Sequence, residues 1–312
     1  MSFRSSWSSS DLDDMERESG LRSFALDGAW AEAAVESHYA EPLRAGYEEG
    51  GMIRALALGL RRRRAGFSKI VCGTNGTPGI IARDRDAASH LLEGLRRRWR
   101  PSVLQVFLSS SLQVKSFEWE PAYSFRINLG LPPETIKGRF AKSTRKSLAR
   151  AIRNGVTARL ASSSQDVGLA FGLIEEVSRI KKFPLPPHSY LAAIHSSFKK
   201  SGISELVVAS RGSQALAVVH LIGARGTAFW WKGGASSLGY RLNASLVAHW
   251  KAIEIAKEHG LEWYDLGGTN PLDPAYTRIH DFKSSFGGDP ITTAVGTYST
   301  RLARSVNRLR SV

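Results

Sequence analysis

The stretch from Gly260 to Gly288 holds the two side chains of this chain best set for chemistry on a bound substrate, a carboxylate and an amine. Asp265 stands near the end of a strand candidate, directly before Leu266-Gly267-Gly268. The glycines have no side chains, so a substrate or another backbone can come close there. A carboxylate at such a strand end either serves a reaction or bonds the amides of its own loop, and the sequence fits both. Lys283 is flanked by Phe282 and Phe286, so its ammonium emerges from apolar surroundings or lies along the surface with its head in water. Neither residue alone establishes catalysis. The eight histidines, from His38 to His280, never fall at a ligand spacing such as His-x-x-x-His, and no metal is expected. The one cysteine, Cys72, has no adjacent base and is expected in a strand rather than as a nucleophile.

The elements that must position these groups follow from hydrophobic periodicity and turn residues. Glu205–Ala209, Ala215–Ile222 and Thr227–Lys232 are strand candidates joined by the tight turns Arg211-Gly212-Ser213 and Ala224-Arg225-Gly226, which make them antiparallel neighbours. A long helix, Asn243–His259, carries Leu246, Trp250 and Ile253 in one stripe and stops at Gly260. Leu261–Leu266 is then a short strand and Tyr276–Phe286 a short helix. Upstream, Asp166–Arg179 and Tyr190–Lys200 are helical, separated by a loop whose prolines, Pro184, Pro186 and Pro187, forbid a helix. Val103–Leu108 and Ser124–Leu129 have strand character, and Lys69–Cys72 is a strand running into the turn Gly73–Gly79. That turn lacks the Gly-Lys-Ser/Thr ending of a nucleotide-binding loop. Three antiparallel strands, a helix and a further strand indicate an α+β core rather than a doubly wound sheet.

Composition narrows the class of function. The chain has 312 residues and a net charge of +15, which allows one large domain or two ordinary ones. Its longest apolar run, Ala215–Ala224 with His220 inside it, is about half of the ~20 residues a membrane span needs. A single cysteine excludes an intramolecular disulfide framework and fits a reducing compartment. Residues 1–20 lack the apolar core of a secretory signal, so a cytoplasmic location is expected, and their Ser-rich, acidic composition indicates a flexible leader. The charge is concentrated: residues 61–160 hold 21 basic and 6 acidic groups, whereas residues 1–60 hold 5 and 11. Arg61–Arg64 and Arg96–Arg98 are expected at the ends of amphipathic helices. Glu134–Asn154 is expected as one helix carrying Lys137, Arg139, Lys142, Arg145, Lys146, Arg150 and Arg153 without acidic partners beyond Glu134. Such a helix repels itself, and either a polyanion or plain counterions offset the repulsion.

From about Phe125 to Gly288 the chain resembles the Fem (FemABX-like) family of aminoacyltransferases, built from tandem GNAT-like domains and related to some acetyltransferases. The resemblance rests on Ser143-Thr144-Arg145-Lys146-Ser147-Leu148-Ala149-Arg150-Ala151 with Asn154-Gly155-Val156, the strand Leu216–Leu221, Leu242-Asn243-Ala244 before Trp250, Tyr264-Asp265-Leu266-Gly267-Gly268, and Phe282-Lys283 before Phe286-Gly287. It implies an α+β fold of two GNAT-like acyltransferase domains, with mixed, mostly antiparallel sheets flanked by helices. The expected division is a leader (1–20), a first, divergent domain (21–130 plus 289–312) and a second domain (131–288).

The implied activity is transfer of an amino acid from aminoacyl-tRNA to an amine of a peptide-bearing acceptor, without a cofactor. Lys283 then stabilises the developing oxyanion or holds a phosphate of the tRNA acceptor end, and Asp265 accepts or orients the amine's proton. Trp230, Lys232, Tyr240, Asn243, Tyr264 and Phe282 are the implied substrate contacts, and Arg145, Lys146, Arg150 and Arg153 the tRNA contacts. Phe229, Trp230, Trp231 and Tyr264 offer flat rings for an unpaired base or for ordinary core packing. Peripheral membrane contact is compatible with this reading, a membrane span is not. Two alternatives remain. One is an acyl-CoA-dependent GNAT N-acyltransferase, disfavoured because Lys232–Ala244 lacks the Arg/Gln-x-x-Gly-x-Gly/Ala spacing. The other is a non-catalytic RNA-binding protein on the same fold. Pro184-Leu185-Pro186-Pro187-His188 offers no basic residue for an acceptor's diphosphate, so the acceptor is either a peptidoglycan precursor or a secondary-metabolite peptide.

Overall fold

The computed structural model describes residues 2–19, 22–74, 77–109, 114–183 and 185–310. It divides into two compact units, Met1–Tyr123 with Thr292–Val312, and Ser124–Ile291. Both have a mixed, mostly antiparallel sheet flanked by helices, an α+β architecture.

In the first unit the strands Ser2–Arg4, Glu41–Glu49, Met52–Arg64 and Phe67–Thr74 pair antiparallel in that order. Val103–Leu108 then adds parallel to Phe67–Thr74 and is joined antiparallel by Ala294–Ser299 from the chain's end. The helix Arg85–Trp99 lays Leu91, Leu92 and Leu95 on Ala55, Ala57, Ile70 and Cys72. Two expectations fail here. Residues 9–19, expected in a flexible leader, form the helix Ser9–Ser19, because Leu12 and Met15 fall on one face and are buried. Arg61–Arg64 continue a strand rather than end a helix, since each pairs across to Ile70, Lys69, Ser68 and Phe67. Arg96–Arg98 do end a helix, Arg85–Trp99. Cys72 lies in a strand as expected, whereas Asn75 and Gly76 of the following turn lie outside the described residues.

In the second unit the order is Glu118–Asn128, Trp263–Asp265, Thr227–Ala235, Gln214–Ala224, Ile203–Arg211, Thr157–Leu160. The three central strands are the antiparallel meander expected from the sequence. Among the described residues of this unit only Thr227–Phe229 and Trp263–Asp265 run parallel, because the helix Ala244–Glu258 crosses over between them. That helix is buried over most of its circumference, from Leu246 and Val247 to Ile255 and Ala256, by the sheet on one side and Leu148 and Ala151 of another helix on the other. The basic segment is not one helix but two, Pro133–Arg139 and Lys142–Arg153. Phe140 turns extended (φ −59°, ψ 144°) and packs edge-on against Trp250 and Phe286, at 5.8 and 5.1 Å. The amide of Ala141, needed to continue the helix, donates instead to the Ser285 carbonyl at 2.8 Å. Among the described residues no helix is long and apolar enough to cross a membrane.

Candidate active site

The site forms where the two parallel strands part. Their pairing runs from Thr227 opposite Trp263 to Phe229 opposite Asp265, and there the shorter strand ends. Gly267 takes φ 76°, a left-handed conformation that favours glycine. A Cβ on Gly267 would lie 3.2 Å from the Trp230 carbonyl, so the turn stays against the strand it leaves.

Asp265 holds that turn. Its side chain is buried, with Oδ1 accepting the Gly267 amide at 2.8 Å and the Ser124 hydroxyl, and Oδ2 accepting Arg126 Nε at 2.9 Å. Ser124 and Arg126 project from the same face of Glu118–Asn128, and Arg126 stands opposite Asp265 in register. Three donors, one a guanidinium, hold this carboxylate in place, and through it the loop. Of the two sequence-based roles, loop-holding is the one the geometry builds.

Lys283 fills the opening. It projects from the helix Thr277–Ser284 and is 6% exposed. Its Nζ donates to the carbonyls of Gly267 at 3.0 Å and Gly268 at 2.7 Å, and lies 4.9 Å from the centroid of the Trp230 ring. Burial brings its pKa down to about 7, opposed by the Asp265 carboxylate and assisted by the Lys232 cation. An ammonium has three hydrogens, and two go to the loop. The third remains for a substrate.

Trp230 is itself backed by a second layer. The His249 ring meets it edge-on at 4.3 Å, and Phe282 at 6.1 Å. His249 Nδ1 shares a hydrogen bond of 2.8 Å with the Tyr264 hydroxyl. Burial, assisted by Lys283, brings the His249 pKa to about 3, so the imidazole is neutral and adds no second charge beside the ammonium. Burial likewise raises the Tyr264 phenol well above its ordinary range, keeping it protonated.

Asp265, Trp230, Tyr264 and Phe282 thus gather around Lys283. The stacking expectation is corrected: Phe229, Trp231 and Tyr264 are buried in the core, and Trp230 is occupied by Lys283 and His249. Lys232 stands further along its strand, half-buried, with Nζ 5.7 Å from the Trp231 ring and its pKa lowered by burial. Tyr240 is exposed on the short helix Ser237–Arg241, and Asn243 begins the helix Ala244–Glu258 in a left-handed conformation (φ 56°) without a side-chain cap bond. On Lys142–Arg153, Lys146, Arg150 and Arg153 are exposed. Arg145 also reaches the surface, but its Nη1 donates to the Gly138 carbonyl at 2.7 Å and to that of Phe140, stapling the helix break. Arg139, expected unpaired, bonds Asp289.

The glycines of the stretch after Lys232 are packed against the protein on the side a Cβ would occupy. A Cβ on Gly233 would lie 2.5 Å from the Val218 carbonyl, one on Gly234 2.8 Å from Val177, and one on Gly239 2.1 Å from the Leu216 carbonyl. These glycines serve internal packing. Sequence reasoning missed Ser124, Arg126 and His249, because nothing in their local spacing ties them to Lys283.

Residues 139–284 match the sequence profile described as an acetyltransferase (GNAT) domain. The whole chain superposes on FemX with a TM-score of 0.69 at 13% identity, covering 99% of both chains. The chain thus has the fold of FemX, and residues 139–284 carry the match to a GNAT domain. A tandem GNAT protein from the clavulanic acid biosynthesis pathway is similar at a TM-score of 0.58 and 9% identity, covering 95% of this chain and 97% of that one. The C-terminal domain of a putative lysylphosphatidylglycerol synthetase from Agrobacterium fabrum matches at a TM-score of 0.57 and 13% identity over 96% of each chain. No curated protein matches the sequence. The α+β fold implied by the resemblance is therefore the observed one, and residues 139–284 match an acyltransferase domain.

Proposed function

We propose that this protein transfers an amino acid from aminoacyl-tRNA to an amine of a peptide-bearing acceptor. The observation that carries the reading is Lys283, a buried cation held by two carbonyls at the parting of the strands with one N–H unspent. When an amine attacks an ester carbonyl, negative charge develops on the carbonyl oxygen, and a preorganised cation in a dry site stabilises it far better than water does. Asp265 orients this arrangement by fixing the Gly267-Gly268 loop that holds Lys283. The exposed Lys146, Arg150 and Arg153 suit a phosphate backbone, whose contacts are independent of sequence and sensitive to salt. Likeness in fold to FemX and to a lysylphosphatidylglycerol synthetase domain, whose name records attachment of a lysyl group, supports an aminoacyl donor.

Acyl-CoA as donor is the second reading, favoured by the acetyltransferase profile over residues 139–284. Against it, the glycines that would have to cradle a pyrophosphate are closed by Val218, Val177 and Leu216. The test is incubation with labelled aminoacyl-tRNAs or labelled acetyl-CoA and a bacterial small-peptide extract. Ribonuclease-sensitive transfer from tRNA supports the proposal, and transfer that requires acetyl-CoA and survives ribonuclease overturns it.

A further inference from the structure

Two further buried donors, one just after the Gly267-Gly268 loop and one on the strand Thr227–Ala235, have no hydrogen-bond partner among the described residues. Thr269, the residue after the Gly268 carbonyl that receives Lys283, is 6% exposed, and its hydroxyl has no hydrogen-bond partner there. The Trp230 indole N–H, on the ring beneath the Lys283 ammonium, is also buried and unpartnered. A Cβ on Gly233 would lie 2.6 Å from that indole nitrogen, so glycine there leaves room for the indole. Leaving a buried donor unbonded is costly, and these two, one next to the Gly268 carbonyl that Lys283 bonds and one on the ring that Lys283 faces, suit an acceptor brought by a substrate. The Asp265 carboxylate at the loop has its oxygens committed to Ser124, Arg126 and Gly267.

We infer that Trp230 Nε1 and the Thr269 hydroxyl complete, with Lys283, a three-donor cradle for one anionic oxygen of the substrate. This rests on the acyl-transfer reading above. The oxygen is that of the reacting carbonyl. The acceptor nitrogen forms a bond to the carbonyl carbon, the π pair moves onto the oxygen held in the cradle, and the returning pair expels the ester oxygen of the terminal ribose. The proton lost by the amine ends on that ribose hydroxyl, so ester and amine become amide and alcohol with no other reactant. Trp230 thus acts through its N–H as well as through the ring beneath Lys283, and Thr269 becomes a catalytic residue.

Thr269→Val removes one donor while keeping the shape of the side chain, Trp230→Phe removes the other while keeping an aromatic ring, and Thr269→Ser keeps the hydroxyl. In transfer assays each single variant should lose about 10- to 100-fold in kcat with the donor KM nearly unchanged, and Thr269→Ser should recover most of the loss. Binding is read with two adenosine probes, an aminoacyl-adenosine amide and a phosphonate analogue with a tetrahedral anionic oxygen. The wild type should bind the phosphonate more tightly than the amide, and each variant should lose about tenfold or more for the phosphonate only. Equal loss for both probes assigns these residues to ground-state binding or folding and overturns the cradle, as does a wild type that does not prefer the phosphonate. Should acetyl-CoA prove the only donor, the tRNA reading fails by itself. The same variants are then compared on kcat with acetyl-CoA, where an unchanged value overturns the cradle.

Discussion

Lys283→Met should uncouple the stability of this protein from pH in a way that measures what the fold gives up to keep a buried amine. In the folded chain the amine titrates at about 7, against an ordinary value of 10.5. Between those values the unfolded chain binds a proton that the folded chain does not, so wild-type stability rises with pH across that window by about 1.4 kcal/mol per pH unit. Below about pH 7 both states are protonated and the fold bears the whole cost, roughly 5 kcal/mol. The substitution would also leave the Gly267 and Gly268 carbonyls without their donor, but that loss does not depend on pH. The comparison between pH values therefore isolates the amine. Urea unfolding of both proteins at about pH 7 and pH 9, at constant ionic strength, should show the wild type gaining about 2–3 kcal/mol relative to the variant. Parallel stability profiles would refute the reasoning, since Lys283 would then titrate as an exposed lysine does.

Further expectations concern the same site and the basic helix. If the ammonium is the catalytic form, kcat falls as pH rises through about 7, the value to which burial brings Lys283, and a kcat still climbing at about pH 9 contradicts this. Asp265→Asn should lower stability by about 2–3 kcal/mol, because Arg126 loses a buried partner, and activity should fall with it. Loss of activity at unchanged thermal midpoint would instead mark Asp265 as a proton acceptor. Replacing Lys146, Arg150 and Arg153 by Gln should raise the KM for aminoacyl-tRNA and flatten its dependence on salt by about one unit of log slope per lost phosphate contact. An unchanged slope would leave those cations as a solvated face. Gly239→Ala should destabilise the chain measurably in thermal melts, because its Cβ would meet the Leu216 carbonyl at 2.1 Å.

What was legible in the sequence was whatever local periodicity and turn chemistry decide. The meander from Ile203 to Ala235 was readable because tight turns separate three apolar runs, and Ala244–Glu258 because its stripe ends on a glycine. Lys283 was readable as an amine in apolar surroundings, since Phe282 and Phe286 flank it. Long-range pairing overrode local propensity elsewhere. Arg61–Arg64 look helical until Phe67–Ile70 pairs with them, and Glu134–Asn154 looks continuous until Ser285 takes the Ala141 amide. The side-chain partners of Asp265 lie 139 and 141 positions away in sequence, so no spacing rule links them. The same holds for His249, whose place behind Trp230 depends on a helix packing across the sheet. The resemblance supplied the order of the motifs, and the structure supplied what each one touches.

The central claim is that a buried lysine at the parting of two strands serves attack on an aminoacyl ester. The most direct test is single-turnover transfer from a mixed pool of labelled aminoacyl-tRNAs to a small-peptide extract, run with wild type and Lys283→Met at equal enzyme occupancy. The account predicts ribonuclease-sensitive transfer by the wild type and a rate for the variant lower by about 100-fold or more, with tRNA affinity nearly intact. Equal single-turnover rates for the two proteins, or label that moves only from acetyl-CoA, would contradict it.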